Sequence, residues 1–197
     1  MKALRLLPVL LAAATLSACS STEKTDNATN TKDTAVLKSD ANPPVANQPA
    51  ADRWHDVDWN SPVIKYDEIK GNDVEVRGND RYSIYSLGEN VLFSTGKADI
   101  RKEAEANLSS VVASINQHYA GGYVKVYGYT DSTGSTAENN KLSAQRAQAV
   151  AAWLTGNGKM AADKVSAYAE GEARPLASNG SAAGRQMNRR VEIVVTK

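Results

Sequence analysis

The stretch VKVYGYTDSTGSTAENNKLSAQRAQAVAAWL, residues 124–154, predicts a strand, a turn and a long helix in direct succession. Valine and glycine alternate with other residues over 124–128, which is the two-residue period of a strand. The run DSTG at 131–134 is typical of a turn. Ser135 and Glu138 then have the spacing of a capping box, which marks the start of a helix.

One charged residue lies on the apolar face of this predicted helix. At about 100° per residue, Arg146 falls in the middle of that face. The apolar members of the face are Leu142, Ala149, Val150 and Trp153. A permanently charged guanidinium on an inward face is costly unless a partner neutralises it. Asp131, in the turn before the helix, is a candidate partner, and Asn139 lies beside Arg146 two turns earlier.

Two interpretations of this Asp131, Asn139 and Arg146 cluster remain open at this point. In the first, a structural ion pair between Asp131 and Arg146 locks the turn to the helix. In the second, the cluster is incompletely paired and binds a ligand, because ligands of α/β folds bind at the carboxyl ends of strands. A zwitterion suits the second interpretation, since the carboxylate would meet an ammonium and the guanidinium would hold a carboxylate.

The composition argues against several classes of protein. The 197 residues carry a formal net charge of +1, which argues against a nucleic-acid binder held by phosphate contacts. Cys19 is the single cysteine, and His55 and His118 are the two histidines. An intrachain disulfide and a Cys–His nucleophile are therefore not expected, and neither is a metal or a cofactor.

The N-terminal residues predict export. Residues 1–18 contain Lys2 and Arg5, an apolar run and then small residues, which is the pattern of a signal peptide. The apolar run is too short to span a bilayer comfortably as a helix. Residues 19–52 are rich in polar residues, alanine and proline. They cannot bury enough apolar surface to fold, so they predict a disordered tether that begins at Cys19.

Residues 53–86 predict an aromatic strap and a β-hairpin. Trp54 and Trp59 lie among charged residues, and packing of this strap, residues 53–66, onto the domain edge is favoured over a metal site. The metal-site alternative would use His55, Asp56 and Asp58, whose spacing fits no established ligand pattern. Strands at 74–76 and 82–85, separated by turn-forming residues, predict the hairpin.

The rest of the chain predicts alternating strands and helices. A short strand at 91–93 precedes an amphipathic helix at about 99–118. After the organising stretch come a strand at 165–169, a short helix that leads to Asn188 and a strand at 191–195. The last strand is apolar on both faces, as a central strand would be. The order βαβαβαβ predicts an α/β (α+β) domain with a mixed four-stranded sheet and the two long helices on one face.

Three motifs together resemble the OmpA-like peptidoglycan-binding domain family. They are GYTDSTG at 128–134, NxxLSxxRAxxV at 139–150 and NRRVE at 188–192. The resemblance covers about residues 87–197. It implies that Asp131 and Arg146 hold the zwitterionic end of meso-diaminopimelate in the peptide of peptidoglycan. From their positions, Asn139 on the same helical face and Thr130 beside Asp131 are expected to orient this pair by hydrogen bonds, and Arg189 or Arg190 is expected to add positive potential.

The end of the predicted signal peptide, Leu16-Ser17-Ala18-Cys19, resembles the lipobox of bacterial lipoproteins. The resemblance implies that Cys19 receives diacylglycerol and a further acyl chain, such as palmitate, once the signal is removed. A secretory signal with a chance cysteine is the alternative. Several acyl chains on one residue give durable anchoring, whereas one chain is marginal. The expected location is the outer membrane, lipid-anchored and facing the periplasm.

The sequence thus favours a non-catalytic lipoprotein that ties the outer membrane to peptidoglycan. A wall hydrolase or amidase is disfavoured, because no nucleophile with a base and no pair of catalytic carboxylates can be assigned. The alternative is a periplasmic protein-interaction lipoprotein in which the Asp131–Arg146 pair is structural. In either case the strap and the hairpin could serve a periplasmic protein partner.

Overall fold

The computed structural model describes residues 52–197, so the predicted signal peptide, Cys19 and the tether up to residue 51 lie outside the described residues. One mixed sheet, in the order β1-β2-β5-β3-β4, organises the described chain. Its strands are β1 (Val74–Gly78), β2 (Tyr82–Gly88), β3 (Tyr123–Tyr129), β4 (Val165–Gly171) and β5 (Arg190–Thr196). β3 and β4 are parallel, and the other neighbouring strands are antiparallel. The predicted fold class is confirmed, with five strands instead of four.

Two long helices and several short ones connect the strands. They are α1 (Asp52–His55), α2 (Glu89–Leu92), α3 (Ala104–His118), α4 (Thr136–Gly156), a 3₁₀ turn at Ala162–Lys164, and α5 (Ala182–Asn188). The predicted position of β5 in the centre of the sheet is confirmed. Within residues 52–197, no helix has the length and apolar character needed to cross a membrane.

The strand predicted at residues 91–93 is wrong. Residues 89–92 form the single helical turn α2, and Phe93 makes only an isolated bridge to Ile100. The hairpin that was predicted as an extension outside the domain supplies β1 and β2, and β2 pairs with β5 along its whole length. A triplet of apolar residues is too short for its period to distinguish a strand from a buried helical turn.

Helices α3 and α4 pack on the same face of the sheet, as predicted. The strand side chains under them alternate with residues of the opposite face; they are Val74, Val76, Tyr85, Leu87, Val124, Val126, Val165, Val191, Ile193 and Val195. Burial of these side chains and of the apolar residues of both helices is the main stabilising contribution. The candidate pocket described below lies on this helix-covered face.

The buried face of α4 is rotated from the predicted one. It consists of Asn139, Ser143, Arg146, Ala147, Val150 and Leu154. The predicted members Leu142, Ala149 and Trp153 are half-buried at its margins. The cause is close packing, because a Cβ atom on Gly128 would lie only 2.2 Å from the carbonyl oxygen of Ser143. The helix therefore approaches the sheet most closely at Ser143, where a small residue faces Gly128.

Gly128→Ala is expected to destabilise the domain by about 1–3 kcal/mol, because the added methyl would overlap the α4 backbone. Chemical denaturation measures the change. Gly156→Ala, at the end of the same helix, is the matched control, since nothing lies within 4 Å of its Cβ position. Equal stabilities of the two variants would contradict this close packing of α4 on β3.

The strap meets the sheet in two places. Val63 bridges to Arg77 of the edge strand β1, and the Ile64 N–H donates to the Val76 carbonyl at 2.9 Å, so the prediction that the strap packs onto the domain edge is confirmed for this part. The tryptophan-containing part packs instead on the sheet face opposite the long helices. Trp54, Val57 and Trp59 form a second apolar cluster with residues of β2, β3 and β5. The Trp59 ring meets Tyr127 edge-on with 5.2 Å between centroids, and its carbonyl accepts a hydrogen bond from Arg77. The central strands bury side chains on both faces, so the strap has an apolar surface to cover.

Candidate functional site

A pocket of about 370 Å³ lies beside the carboxyl end of β3, on the face of the sheet that carries α4. Five segments line it: the start of α2, the loop after α2, the turn after β3, helix α4, and α5 together with the residue that follows it. The lining residues are Glu89, Thr95, Gly96, Thr130, Asp131, Thr133, Asn139, Leu142, Arg146, Arg185 and Arg189. The structure therefore brings together all five predicted binding residues that fall within its described range. The predicted lipidation site, Cys19, lies outside it.

Local structure fixes the position of the α4 side chains in this pocket. The predicted capping box is confirmed, since Ser135 Oγ accepts from the Glu138 N–H (3.2 Å) and Glu138 accepts from the Ser135 N–H (3.1 Å). The helix therefore begins directly after the turn. Asn139 on its first turn donates from Nδ2 to the carbonyl oxygen of Asp131 at 3.2 Å. This bond ties the helix to the turn that carries the carboxylate.

Asp131 and Arg146 do not form the direct ion pair that was predicted as the structural alternative. Arg146 Nη2 donates to Glu89 Oε1, and Arg189 Nη1 donates to Asp131 Oδ2 at 2.6 Å. Arg189 Nε pairs with the second oxygen of Glu89. Four side chains of alternating charge thus form a chain in the order Arg146, Glu89, Arg189, Asp131. We call it the charge chain.

Strand pairing explains why sequence analysis missed Glu89. Gly88 is paired with Arg190 in the antiparallel β2–β5 register, and the Glu89 N–H donates to the Arg189 carbonyl at 2.9 Å. Glu89 directly follows β2, and Arg189 directly precedes β5. No local signal marks Glu89, which is 57 residues from Arg146 in sequence. Correct assignment of β2 as a sheet strand would have been needed to find it.

Arg146, at one end of the charge chain, is incompletely paired. It is 1% exposed, and its Nε donates to the carbonyl of Lys97 at 3.1 Å. Its Nη1 is buried and has no hydrogen-bond acceptor among the described residues. The Thr130 hydroxyl, in the same pocket, is also buried without a partner. An unsatisfied buried donor costs about 1–3 kcal/mol, so an acceptor from a ligand would be stabilising here.

Asp131, at the other end, stays ionised at neutral pH. Burial raises its pKa, but hydrogen bonds from Arg189 and from the Thr133 N–H (2.9 Å) more than offset this effect, so the pKa lies below its usual value. For Arg146, burial lowers the pKa and the neighbouring carboxylate of Glu89 raises it; the effect of burial is the larger, so the pKa lies below its usual value. A guanidinium nevertheless remains protonated in proteins. The charge chain therefore ends in a cation at Arg146 and an anion at Asp131.

The structure also separates Arg189 from Arg190. Arg189 lines the pocket. Arg190 precedes Val191, which lies in the core under the helices, so Arg190 lies on the opposite face of the sheet. There the Arg190 guanidinium lies 3.8 Å from the centroid of the Tyr129 ring, and its Nε donates to Glu192 at 3.0 Å. Adjacent residues of a strand point to opposite faces, so only one of the two arginines can reach the ligand pocket.

The fold and the pocket together define a binding domain of mixed α/β architecture whose pocket carries a cation at one end and an anion at the other. The OmpA family model matches residues 92–189, and the chain belongs to the OmpA family. This membership supports the prediction that the chain is not an enzyme. Glu89 lies just before the matched residues.

Two bacterial proteins are similar to the chain in sequence. The chain is 38% identical over 130 residues to "Probable lipoprotein YiaD" of Escherichia coli (strain K12), covering 66% of this chain and 58% of that protein. It is 50% identical over 72 residues to "Peptidoglycan-binding protein ArfA" of Mycobacterium bovis, covering 36% of this chain and 22% of that protein. The chain thus spans less than two thirds of either relative.

A solved structure resembles the fold over most of its own length. It is the cell wall anchor of the T6SS from Pseudomonas aeruginosa, which superposes with a TM-score of 0.57 at 31% sequence identity. The match covers 63% of this chain and 87% of that one. The similarity therefore includes nearly the whole of the solved anchor domain.

Proposed function

We propose that this protein is a non-catalytic lipoprotein that binds peptidoglycan through the Asp131–Arg146 pocket and ties the outer membrane to the cell wall. The observation that carries the proposal is the charge chain, with its unpartnered Arg146 Nη1 at one end and Asp131 at the other. The names of two relatives support it: one is a probable lipoprotein, the other a peptidoglycan-binding protein.

The D-centre of meso-diaminopimelate has the chemistry that this pocket requires. It carries an ammonium and a carboxylate on one carbon. The carboxylate would accept from Arg146 Nη1, and the ammonium would donate to Asp131, whose oxygens can accept more than one hydrogen bond. Asn139 holds the backbone of Asp131 in place, and the Thr130 hydroxyl offers a further hydrogen bond. A ligand bound in this way would join the two ends of the charge chain.

The attachment to the membrane is proposed from the sequence. Cys19 would carry the acyl chains that hold the protein at the periplasmic side of the outer membrane. Residues 20–51 would connect this anchor to the domain. If these residues form the disordered tether that the sequence predicts, about 30 of them would have a root-mean-square span of roughly 30 Å and would let the domain reach wall peptides near the membrane.

A pair of matched ligands tests the proposed function. One is a stem peptide with diaminopimelate, and the other has lysine at the same position. Lysine keeps the side-chain ammonium and lacks the D-centre carboxylate. Calorimetry with the full chain in detergent is expected to give at least about tenfold weaker binding of the lysine peptide, because Arg146 then lacks its acceptor. Equal affinities for the two peptides would contradict the proposal.

A further inference from the structure

We propose that Glu89 sets the charge of the pocket and thereby selects a zwitterionic ligand end over a ligand end that is only anionic. This inference rests on the proposed function, in which the pocket binds the D-centre of diaminopimelate. It assigns a specificity role to a residue that lies outside the matched family residues 92–189.

Glu89 is held rigidly inside the wall of the pocket. It is 5% exposed and is the first residue of α2. Its carboxylate meets Arg146 Nη2 and Arg189 Nε, and it also accepts from the Gly96 N–H at 3.3 Å. Donors from three separate segments therefore fix its two oxygens. A carboxylate held in this way cannot turn out to solvent, so its charge acts on every ligand that enters.

The four side chains of the charge chain are formally neutral in sum, since two carboxylates balance two guanidinium groups. Two further charged side chains of opposite sign lie nearby, one on the pocket wall and one behind it. Arg185 lies on the pocket wall and donates to the Asn179 carbonyl, while Glu172 lies behind Asn139 with 3.5 Å between their polar atoms. Removing the charge of Glu89 would therefore leave a positive surplus next to the free Nη1 of Arg146.

This balance has a direct consequence for selectivity. Peptide chains end in carboxylates that have no ammonium on the same carbon, and a pocket with surplus positive charge would bind them well. With a neutral charge chain, a ligand carboxylate bound at Arg146 brings a negative charge that the carboxylate of Asp131 repels. An ammonium beside the carboxylate removes this repulsion. Glu89 thus makes the ammonium a requirement for tight binding.

Two probes and three variants test the role of Glu89, with the full chain in detergent. The probes are the diaminopimelate stem peptide with a free D-centre and the same peptide with the D-centre amine acetylated. The second probe keeps the carboxylate and loses the ammonium. The measured quantity is the ratio of the two dissociation constants, with thermal unfolding of each variant as the folding check.

The wild type is expected to prefer the free D-centre at least about tenfold. Glu89→Gln keeps the shape of the side chain and should lower this preference at least about threefold, mainly through tighter binding of the acetylated peptide. Arg189→Gln leaves a surplus of negative charge and should raise the preference. Glu75→Gln is the control, because Glu75 is exposed and paired with Arg77, and its ratio should equal that of the wild type.

The ratio of dissociation constants is expected to change in opposite directions in Glu89→Gln and Arg189→Gln. Simple disruption of the pocket would lower the preference in both variants, so the two explanations can be distinguished. A ratio that falls in both variants would overturn the inference, and so would an unchanged ratio in Glu89→Gln. If Glu89→Gln does not fold, the Arg189→Gln ratio decides, and a rise supports the inference. If the wild type binds neither probe, the proposed function itself fails, which is a different result.

Discussion

Arg146→Lys is expected to fold and to bind the diaminopimelate stem peptide at least about tenfold more weakly than the wild type, a loss of ~1.4 kcal/mol. The guanidinium uses Nε for the Lys97 carbonyl and Nη2 for Glu89, which leaves Nη1 for the ligand. Lysine keeps a positive charge beside Glu89 but lacks the planar set of donors. Calorimetry gives the affinity, and thermal unfolding gives the stability.

Lysine is the informative substitution at this position. Arg146→Ala would leave the buried Glu89 with one cation fewer, and breaking a buried ion pair costs about 3–5 kcal/mol, so loss of binding could reflect unfolding. Arg101→Lys is the matched control, because Arg101 is exposed and lies outside the pocket. If Arg146→Lys bound the peptide as tightly as the wild type, Arg146 would be a structural residue.

Cys19→Ser is expected to abolish lipid anchoring of the protein. Serine cannot form the thioether that a lipobox cysteine makes with diacylglycerol, and durable anchoring needs more than one acyl chain. Cell fractionation should move the variant from the membrane fraction to the soluble fraction, or leave it uncleaved. Ser20→Ala, at the neighbouring position, should remain in the membrane fraction. Normal processing and unchanged flotation of Cys19→Ser would contradict lipid anchoring.

Local patterns were sufficient to predict most secondary structure. The capping box at Ser135 gave the start of α4, and the β-branched apolar run at 191–195 gave the central strand. Residues 91–93 were assigned wrongly, because three buried apolar residues fit a strand and a helical turn equally well. The membership of the hairpin in the sheet depends on long-range pairing of β2 with β5, which no local period contains.

In the pocket, too, local patterns were sufficient for some residues, whereas others depend on long-range strand pairing. Asp131, Asn139 and Arg146 lie within one strand–turn–helix unit, so helical geometry placed Asn139 beside Arg146, and the short turn placed Asp131 near both. The actual partners, Glu89 for Arg146 and Arg189 for Asp131, come from the two strand ends that pair across the sheet. Their positions follow from the β2–β5 register, and a charge on an inward face shows only that some partner must exist.

The most direct test of the central claim combines the Arg146→Lys variant with a change in the ligand. Dissociation constants are measured for the wild type and for the variant, each with a stem peptide whose D-centre carboxylate is either free or amidated. Amidation should weaken binding to the wild type at least about tenfold, and it should add little to the loss already present in the variant, because both changes remove the same interaction. Amidation that leaves wild-type binding unchanged, or that weakens both proteins equally, would show that Arg146 does not hold the carboxylate.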